Sequence, residues 1–585
     1  MLQDARDLPN RQILEADICI AGAGAAGITL ALELRDSGLD VLLLESGGLK
    51  AEQATQSLYA GTVADERLHS PPDRYRQRRL GGSTTLWGGR CVPFDDIDFE
   101  ARPYLPGSGW PFSREMLEPY YRRANALCEA GEFAYTAETA FDARLPPVIA
   151  GFHSDAFTSN SLERFSCPTN FGQRYRQELV NAADVRLLLH ANVVKVVLTP
   201  DGTQVAELGL RTLTGRTCRI RARHFALALG GLETARMLLA NRENHTNGIG
   251  NANDLVGRHY MCHIAGTAGT LELHAAQPRA NHGYDRADGG VYCRRRFALD
   301  AATQRRLGIG NFIARLHHPR ITDPAHGTGI LSLLYLAKPF VPYEYAKRLH
   351  GDEAADWRRW LRHVGNVCGD PADTTAFLWN WYRLRHRATR KLPSIVVPPR
   401  TQRFSLDFHS EQQPQYSSRV LLGNERDALG VPRLHVDWRY GAWDIETVRS
   451  AFDLFASSVR ESGVGTFTYD AATLEAEILR DGAYGGHHIG TTRMGTNPRS
   501  SVVDANGKVH GVHNLFIAGS ATFPTSSQAN PTLTVVALAT RLAEHLKQAL
   551  RAERWELAME TTAGSSEWPL SQPQAKRPIV RKLPA

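Results

Sequence analysis

The amino-acid sequence predicts an α/β protein in which a parallel-stranded domain accompanies a second, mainly antiparallel β-sheet domain bearing helices. Three observations predict it. Residues 16–45 read as strand, glycine-rich turn, helix and strand. Residues 185–229 carry a further alternation of apolar strands that ends on Gly230-Gly231. Between about residues 260 and 438 the pattern changes to short strands separated by turns, which points to an antiparallel layer of its own. A chain of 585 residues is also too long for one hydrophobic core, so two domains are expected.

Each element has a local reason. Ile18 and Ile20 lead the first strand into its glycines, and Ile28, Leu30, Leu32 and Leu34 populate the helix. Gly38 stands where a helix C-terminal cap is expected. Val41 to Leu44 is a continuous apolar run, as in a strand buried on both faces. Val193 to Val197, a turn at Asp201-Gly202, and Phe225 to Leu229 repeat the strand signal, with helical character from Leu232 to Leu239. Gly308 to Leu316 and Ile330 to Leu336 read as short strands of the second domain. Leu515 to Ala518 reads as a buried strand and Leu533 to Leu546 as an apolar helix. The Ser-, Pro- and Lys-rich tail at 561–585 lacks periodicity and is expected to be disordered.

A net charge of +7 is modest for this length and gives no reason to expect a nucleic-acid partner. No run reaches the roughly 18 uncharged apolar residues of a transmembrane helix. Residues 18–32, with Arg6 and Arg11 ahead of them, resemble a signal-peptide core. Residues 40–45, however, continue a βαβ unit that needs that earlier strand. The eight cysteines form no CxxC pair and fit free thiols in a reducing compartment, so a cytoplasmic location is expected.

Four clusters carry chemistry. Gly22-Ala23-Gly24-Ala25-Ala26-Gly27 is GxGxxG at a strand-to-helix turn. Gly22 permits the tight turn, Gly24 the approach of a pyrophosphate, and Gly27 close packing of helix on strand. The helix N-terminus offers N–H groups and partial positive charge to phosphates. Glu45, about twenty residues on, is placed to accept from ribose hydroxyls and to repel the extra phosphate of NADP. The fold expected of this segment is Rossmann-like and its ligand a dinucleotide. The second cluster, Leu80-Gly81-Gly82-Ser83-Thr84-Thr85-Leu86-Trp87-Gly88-Gly89-Arg90, lets main chain lie against a flat cofactor. The third runs from Tyr484 through Gly486-His487-His488-Ile489-Gly490-Thr491-Thr492-Arg493-Met494-Gly495. The fourth runs from Phe516 through Gly519-Ser520 to Ala529-Asn530-Pro531-Thr532-Leu533-Thr534.

Together these clusters resemble the glucose–methanol–choline (GMC) oxidoreductases over most of residues 15–550. The likeness is closest to the pyranose oxidase, fructose dehydrogenase and gluconate dehydrogenase branch. Gly109-Trp110-Pro111-Phe112, Leu117 to Tyr121 and Gly230 to Arg236 also look like family segments. The resemblance implies FAD as cofactor. It places Gly22, Gly24, Ala25, Gly27, Glu45, Ser46, Gly82, Ser83, Trp87, Gly88, Val194, Gly519, Ser520, Asn530, Pro531 and Thr532 against that FAD. His487 falls on the family's active-site histidine and Asn530 on its partner, while His488 is read as structural. Leu86 stands where some pyranose oxidases carry a flavin-linking histidine, so non-covalent FAD is expected. Trp87 replaces the Asn of glucose-oxidase-like members.

The implied reaction is oxidation of a C–OH group of a sugar, glycoside or polyol. His487, with an ordinary pKa of about 6.5, takes the hydroxyl proton while hydride passes to flavin N5. A quinone, a protein or oxygen then accepts the electrons. An oxidase acting on another alcohol, a non-redox FAD lyase, or a binding protein with a dead site are the competing readings, and intact His487 and Asn530 speak against the last. His259, Cys262 and His263 could share one helix face, but a metal site there lacks the usual fourth ligand. Residues 357–362 and 378–387 read as two basic, aromatic helices. A membrane-surface contact, a flap over the active site, or a solvated basic face are the options.

These signals divide the chain into an FAD-binding domain (10–130, 181–258 and 481–552) and a connecting segment (131–180). They also give a substrate-binding domain (259–480) with a helical insertion near 345–392.

Overall fold

A computed structural model describes residues 1–340, 356–397, 401–483 and 486–564. Tyr484 and Gly485 of the third cluster, the first part of the predicted insertion, and residues 565–585 of the predicted tail lie outside the described residues.

The glycine-rich turn sits in the main sheet. Its strands run in the order Leu2–Asp4, Val185–Leu189, Val41–Leu44, Gln12–Ala21, Thr217–Leu227, Val205–Arg211 and Asn192–Leu198. The first five are parallel; the last two are antiparallel hairpin partners. Leu515–Ile517 runs parallel beside Phe225 to Leu227. Ile18, Cys19, Ile20 and Val41 to Leu44 are at most 1% exposed, as continuous apolar runs in a doubly covered parallel sheet require. Helix Ala25–Leu34 packs on this sheet, with Thr532–Gly564 lying against it.

The second sheet is antiparallel throughout, in the order Gly465–Thr468, Ile264–Leu273, Arg403–Ser410, Phe312–His317, Phe297–Leu299 and Phe157–Thr158. Helix Ala442–Glu461 covers one face, driving Phe452 and Phe455 among Phe312, Phe408, Phe297 and Phe467 at ring-centroid distances of 5.2–6.1 Å. Each fully buried phenylalanine contributes roughly 1.5–3 kcal/mol, so this cluster anchors the sheet that carries Thr267, His317 and Asp407.

Four local expectations change. Residues 330–336 lie in helix Gly329–Leu336, not a strand. A short run, apolar but for Ser332, has too little period to separate the two states, and here it closes a small core with Ile321 and Val397. Helix Ala25–Leu34 ends with Arg35 as its C-cap, ahead of Gly38. His259 to His263 are not helical; Met261 instead bridges Ile489, and helix Thr532–Gly564 runs past the predicted start of the tail. The two basic, aromatic helices are present as Trp357–Gly369 and Pro371–Tyr382, the second running into a π-turn at Arg383–Arg387.

Candidate active site

The turn after Gln12–Ala21 is built as its glycines require. Gly22 has φ +103°, and a Cβ on Gly27 would lie 1.8 Å from the Gly22 carbonyl oxygen, so helix and turn close without side chains. Gly24 faces open space. A cavity of about 1690 Å³ begins there. Its wall includes Gly22, Gly24, Ala25, Glu45, Ser46, Gly82, Ser83, Trp87, Gly88, His487, Gly519, Ser520, Asn530, Pro531 and Thr532. Gly27 lies behind, in the helix–turn packing.

Val194 is the exception. Val193 and Ala191 line the cavity, and Val194 does not. Lys195 pairs with Gly209 and Val193 with Leu210, which leaves Val194 as the extra residue of a bulge. Such an insertion re-aims neighbouring side chains.

Glu45 is buried and tied into the turn: Oε2 accepts the Ala23 N–H at 3.0 Å and Oε1 the Gly47 N–H at 2.9 Å. Burial pushes its carboxyl above the ordinary range, against the opposing pull of those N–H groups and Arg78. Nearby, Glu233 joins Arg236 at 3.0 Å, Arg78 at 3.2 Å and Arg76 at 3.3 Å. Burial alone would raise its pKa; the three guanidiniums outweigh that and hold it at about 2. The cluster fixes the start of helix Gly231–Ala240, whose first residues border the cavity.

Trp87 is held by its indole N–H, which donates to the Thr169 carbonyl at 2.9 Å. Leu86 is 39% exposed on the cavity wall.

His487 lies on a segment clamped from two sides. Ile489 and Met261 exchange both main-chain bonds at 2.9 and 3.0 Å, while Gly490, Thr492 and Met494 donate to Ser520, Ala521 and Thr522 at 2.7–3.0 Å. Asn530 follows a loop in which Ser527 holds φ +54°, a costly value for a non-glycine residue. The Ser527 hydroxyl donates to Asp98 Oδ2 at 2.6 Å, which keeps that loop in place.

The two segments converge: Asn530 Nδ2 is 3.0 Å from His487 Nε2, and His487 Nδ1 is 2.7 Å from His263 Nδ1. The partners assign the protons. His263 Nε2 lies 3.1 Å from the Ser526 carbonyl, which can only accept. His263 is fully buried, and burial carries its pKa down to about 4, so the ring is neutral and its Nδ1 accepts. His487 Nδ1 therefore donates, leaving a lone pair on Nε2 beside the Asn530 amide. His488 also borders the cavity, but its ring packs against His69 and Tyr260 at ring-centroid distances of 6.2 and 6.1 Å, with its pKa well below the ordinary value through burial.

His263 is the site residue that sequence reasoning assigned elsewhere, as a weak metal-ligand candidate. No local signal marks it, because its partner arrives from another part of the chain. The cavity wall also has a polar part, with Thr267, His317 and Asp407 from the antiparallel sheet, Arg480 after helix Leu474–Leu479, and Arg90 and Arg294 from a separate four-stranded sheet. Trp381, Arg385 and Leu392 join it from the inserted segment.

A dinucleotide-binding turn opening into a cavity larger than the roughly 300–1,000 Å³ of ordinary ligand pockets defines a nucleotide-cofactor enzyme. Bare glycines at 24, 88, 230 and 519, where an added Cβ would meet nothing within 4 Å, leave room for FAD along that wall. Residues 17–360, more than half of the chain, match the FAD dependent oxidoreductase family, and residues 414–539 match the GMC oxidoreductase family. The chain belongs to the FAD-dependent oxidoreductases, within the GMC family.

The chain is 24% identical to 2-methyl-1,2-propanediol dehydrogenase of Mycolicibacterium austroafricanum, covering 91% of this chain and 95% of that protein. It is also 24% identical to the fructose dehydrogenase large subunit of Gluconobacter japonicus, covering 93% and 99%. A fungal aryl-alcohol oxidase structure superposes with TM-score 0.52 at 14% identity, covering 93% of this chain and all of that one, which shows a shared fold.

Proposed function

We propose that this enzyme oxidises a C–OH group of a sugar, glycoside or polyol to a carbonyl, with His487 as the base. The observation that carries the proposal is the hydrogen-bonded line Ser526–His263–His487–Asn530, which ends on an Nε2 lone pair at the cavity wall. A hydroxyl entering there donates to His487 Nε2 and accepts from Asn530 Nδ2. Proton removal by a positioned base contributes typically 10²–10⁴ in rate. The Nδ1–H bond to His263 holds the ring in that orientation, and the charge that His487 gains is shared with a neutral acceptor.

Bound FAD supplies the two-electron acceptor for the carbinol carbon. The glycine turn and Glu45 would hold its pyrophosphate and ribose ends, and Ser83, Trp87 and Gly88 its ring end. Leu86 offers no nucleophile, so attachment is non-covalent.

The polar wall formed by Arg90, Thr267, His317 and Asp407 suits a substrate with several hydroxyls, each needing a partner when desolvated. The relatives named for a diol and for fructose support the same class. Anaerobic addition of sugars, glycosides, polyols and simple alcohols tests the proposal. Bleaching of the flavin absorbance by polyhydroxylated members is expected, and an unbleached flavin across the panel would overturn it.

A further inference from the structure

The positive charge of this chain is concentrated. Residues 357–391 hold eight lysines and arginines against two aspartates, a net +6 of the chain's +7, and four of its ten tryptophans. Trp357–Gly369 and Pro371–Tyr382 form two helices packed from one side; Arg358, Arg359 and Arg362 lie on the first, and the other five cations follow the second. Helix Trp357–Gly369 buries only His363, which meets Ser332 Oγ at 2.9 Å and stacks on Tyr335 with centroids 4.1 Å apart. Helix Pro371–Tyr382 buries only Thr374 and rests Phe377 on the core around Ile330 and Leu331.

Their outer sides carry large apolar groups in the open. Trp357, Trp360 and Leu361 are 50–67% exposed and fall on one stripe by helical spacing; Leu378, Trp379 and Tyr382 are 43–64% exposed on the second helix. These are six of the fifteen large hydrophobic side chains exposed among the described residues. A single exposed tryptophan needs no explanation, whereas six such groups on two adjoining helices mark an interaction surface. The first helix intersperses Arg358, Arg359 and Arg362 and contains no carboxylate.

We propose that this surface docks the enzyme on an anionic lipid bilayer. Tryptophan rings favour the headgroup level. Arginine stems lie along apolar surface while their guanidiniums reach phosphate, and a basic helix with an aromatic stripe is the composition of an interfacial helix. A second copy of the chain is a poor occupant, because it would bring Arg358, Arg359 and Arg362 against their own like charges. The inner side of the segment contributes Trp381, Arg385 and Leu392 to the cavity wall, so docking sets that wall beside the bilayer.

The test is co-sedimentation of the FAD-loaded enzyme with phosphatidylcholine vesicles, with and without about one-third phosphatidylglycerol. Binding at least about tenfold tighter to the anionic vesicles at low salt, and lost near 0.5 M NaCl, is expected from screening. The double variant Arg358→Gln/Arg362→Gln is expected to weaken it about tenfold. Trp357→Ser/Trp360→Ser is expected to diminish the blue shift of tryptophan emission on binding. Flavin absorbance confirms that each variant is loaded. Failure of the native enzyme to sediment with anionic vesicles, equal binding to neutral ones, or native-like binding by both variants overturns the proposal. Lipid-free self-association that shields these tryptophans would assign the surface to a second copy instead.

Discussion

His263 and His487, separated by 224 positions in the chain, meet Nδ1 to Nδ1 at 2.7 Å. Two nitrogens so placed must share one proton, and the Ser526 carbonyl behind His263 decides whose it is. The result is a histidine at the cavity with a defined tautomer, set by a second histidine that does not itself line the cavity.

Replacing His487 by Ala is expected to leave FAD bound and to slow flavin reduction by substrate at least a hundredfold. The variant loses the acceptor for the hydroxyl proton and with it the roughly 10²–10⁴ of general-base catalysis. His488→Ala is the control, since His488 faces His69 and Tyr260. Anaerobic single-turnover reduction measures the step. A crippled His488→Ala beside a normal His487→Ala would move the base by one residue.

Replacing His263 by Phe keeps the volume and removes the acceptor. An unpaired buried donor costs about 1–3 kcal/mol, so a fall in kcat of roughly five- to a hundredfold is expected with little change in KM. His263→Gln restores an acceptor and is expected to recover part of the rate. The pH dependence of kcat should shift in the Phe variant and less in the Gln variant. A Phe variant with native kcat and pH profile would reduce His263 to packing.

The difference between these residues shows what the sequence made legible. The turn at Gly22 to Gly27 is local: strand, glycines, helix and Glu45 fall within one short stretch, and the physics of the turn is written in residue types. The likeness of residues 487–495 and 530–534 to family motifs brought His487 and Asn530 forward. His263 depends on Met261 pairing with Ile489 across the fold, which no periodicity reveals. Val194 lies off the cavity lining for a similar reason, since a bulge shifts the strand's alternation by one. Helix Gly329–Leu336 was hidden because a short run, apolar but for Ser332, carries too little phase to tell helix from strand.

Glu45→Ala is expected to weaken FAD affinity and also to lower the stability of the apoprotein. A charge-assisted bond to ribose is worth about 1.5–3 kcal/mol, roughly ten- to a hundredfold in Kd. The Ala23 and Gly47 N–H groups lose their acceptor as well, which the affinity argument alone does not predict. Flavin titration of the apoprotein reads the first effect and its melting temperature the second. Unchanged affinity with a lowered melting temperature would make Glu45 purely a brace of the turn.

Acid should destabilise the enzyme before carboxylates of ordinary or depressed pKa titrate. His259, His263, His318 and His326 all have pKa values carried down to about 4, each chiefly by burial. A histidine whose folded pKa is depressed binds fewer protons in the native state than unfolded, between about pH 4 and its ordinary 6.5. Its contribution is therefore whole above pH 6.5 and is lost progressively as pH falls towards 4. For fully buried His263 alone the loss is on the order of 3 kcal/mol, a large share of the roughly 5–15 kcal/mol that separates folded from unfolded domains. Glu233, depressed to about 2, withdraws its support only in the lower window between its ordinary 4.5 and 2. Denaturant midpoints measured at pH 7.5, 5.5 and 4.5 should thus fall steeply across the histidine window. Replacing His263 by Gln removes one titrating group and should flatten that fall. A midpoint that holds constant to pH 4.5 would show that these histidines gain protons without unfolding, and the fixed neutrality of His263, on which the tautomer of His487 rests, would fall with it.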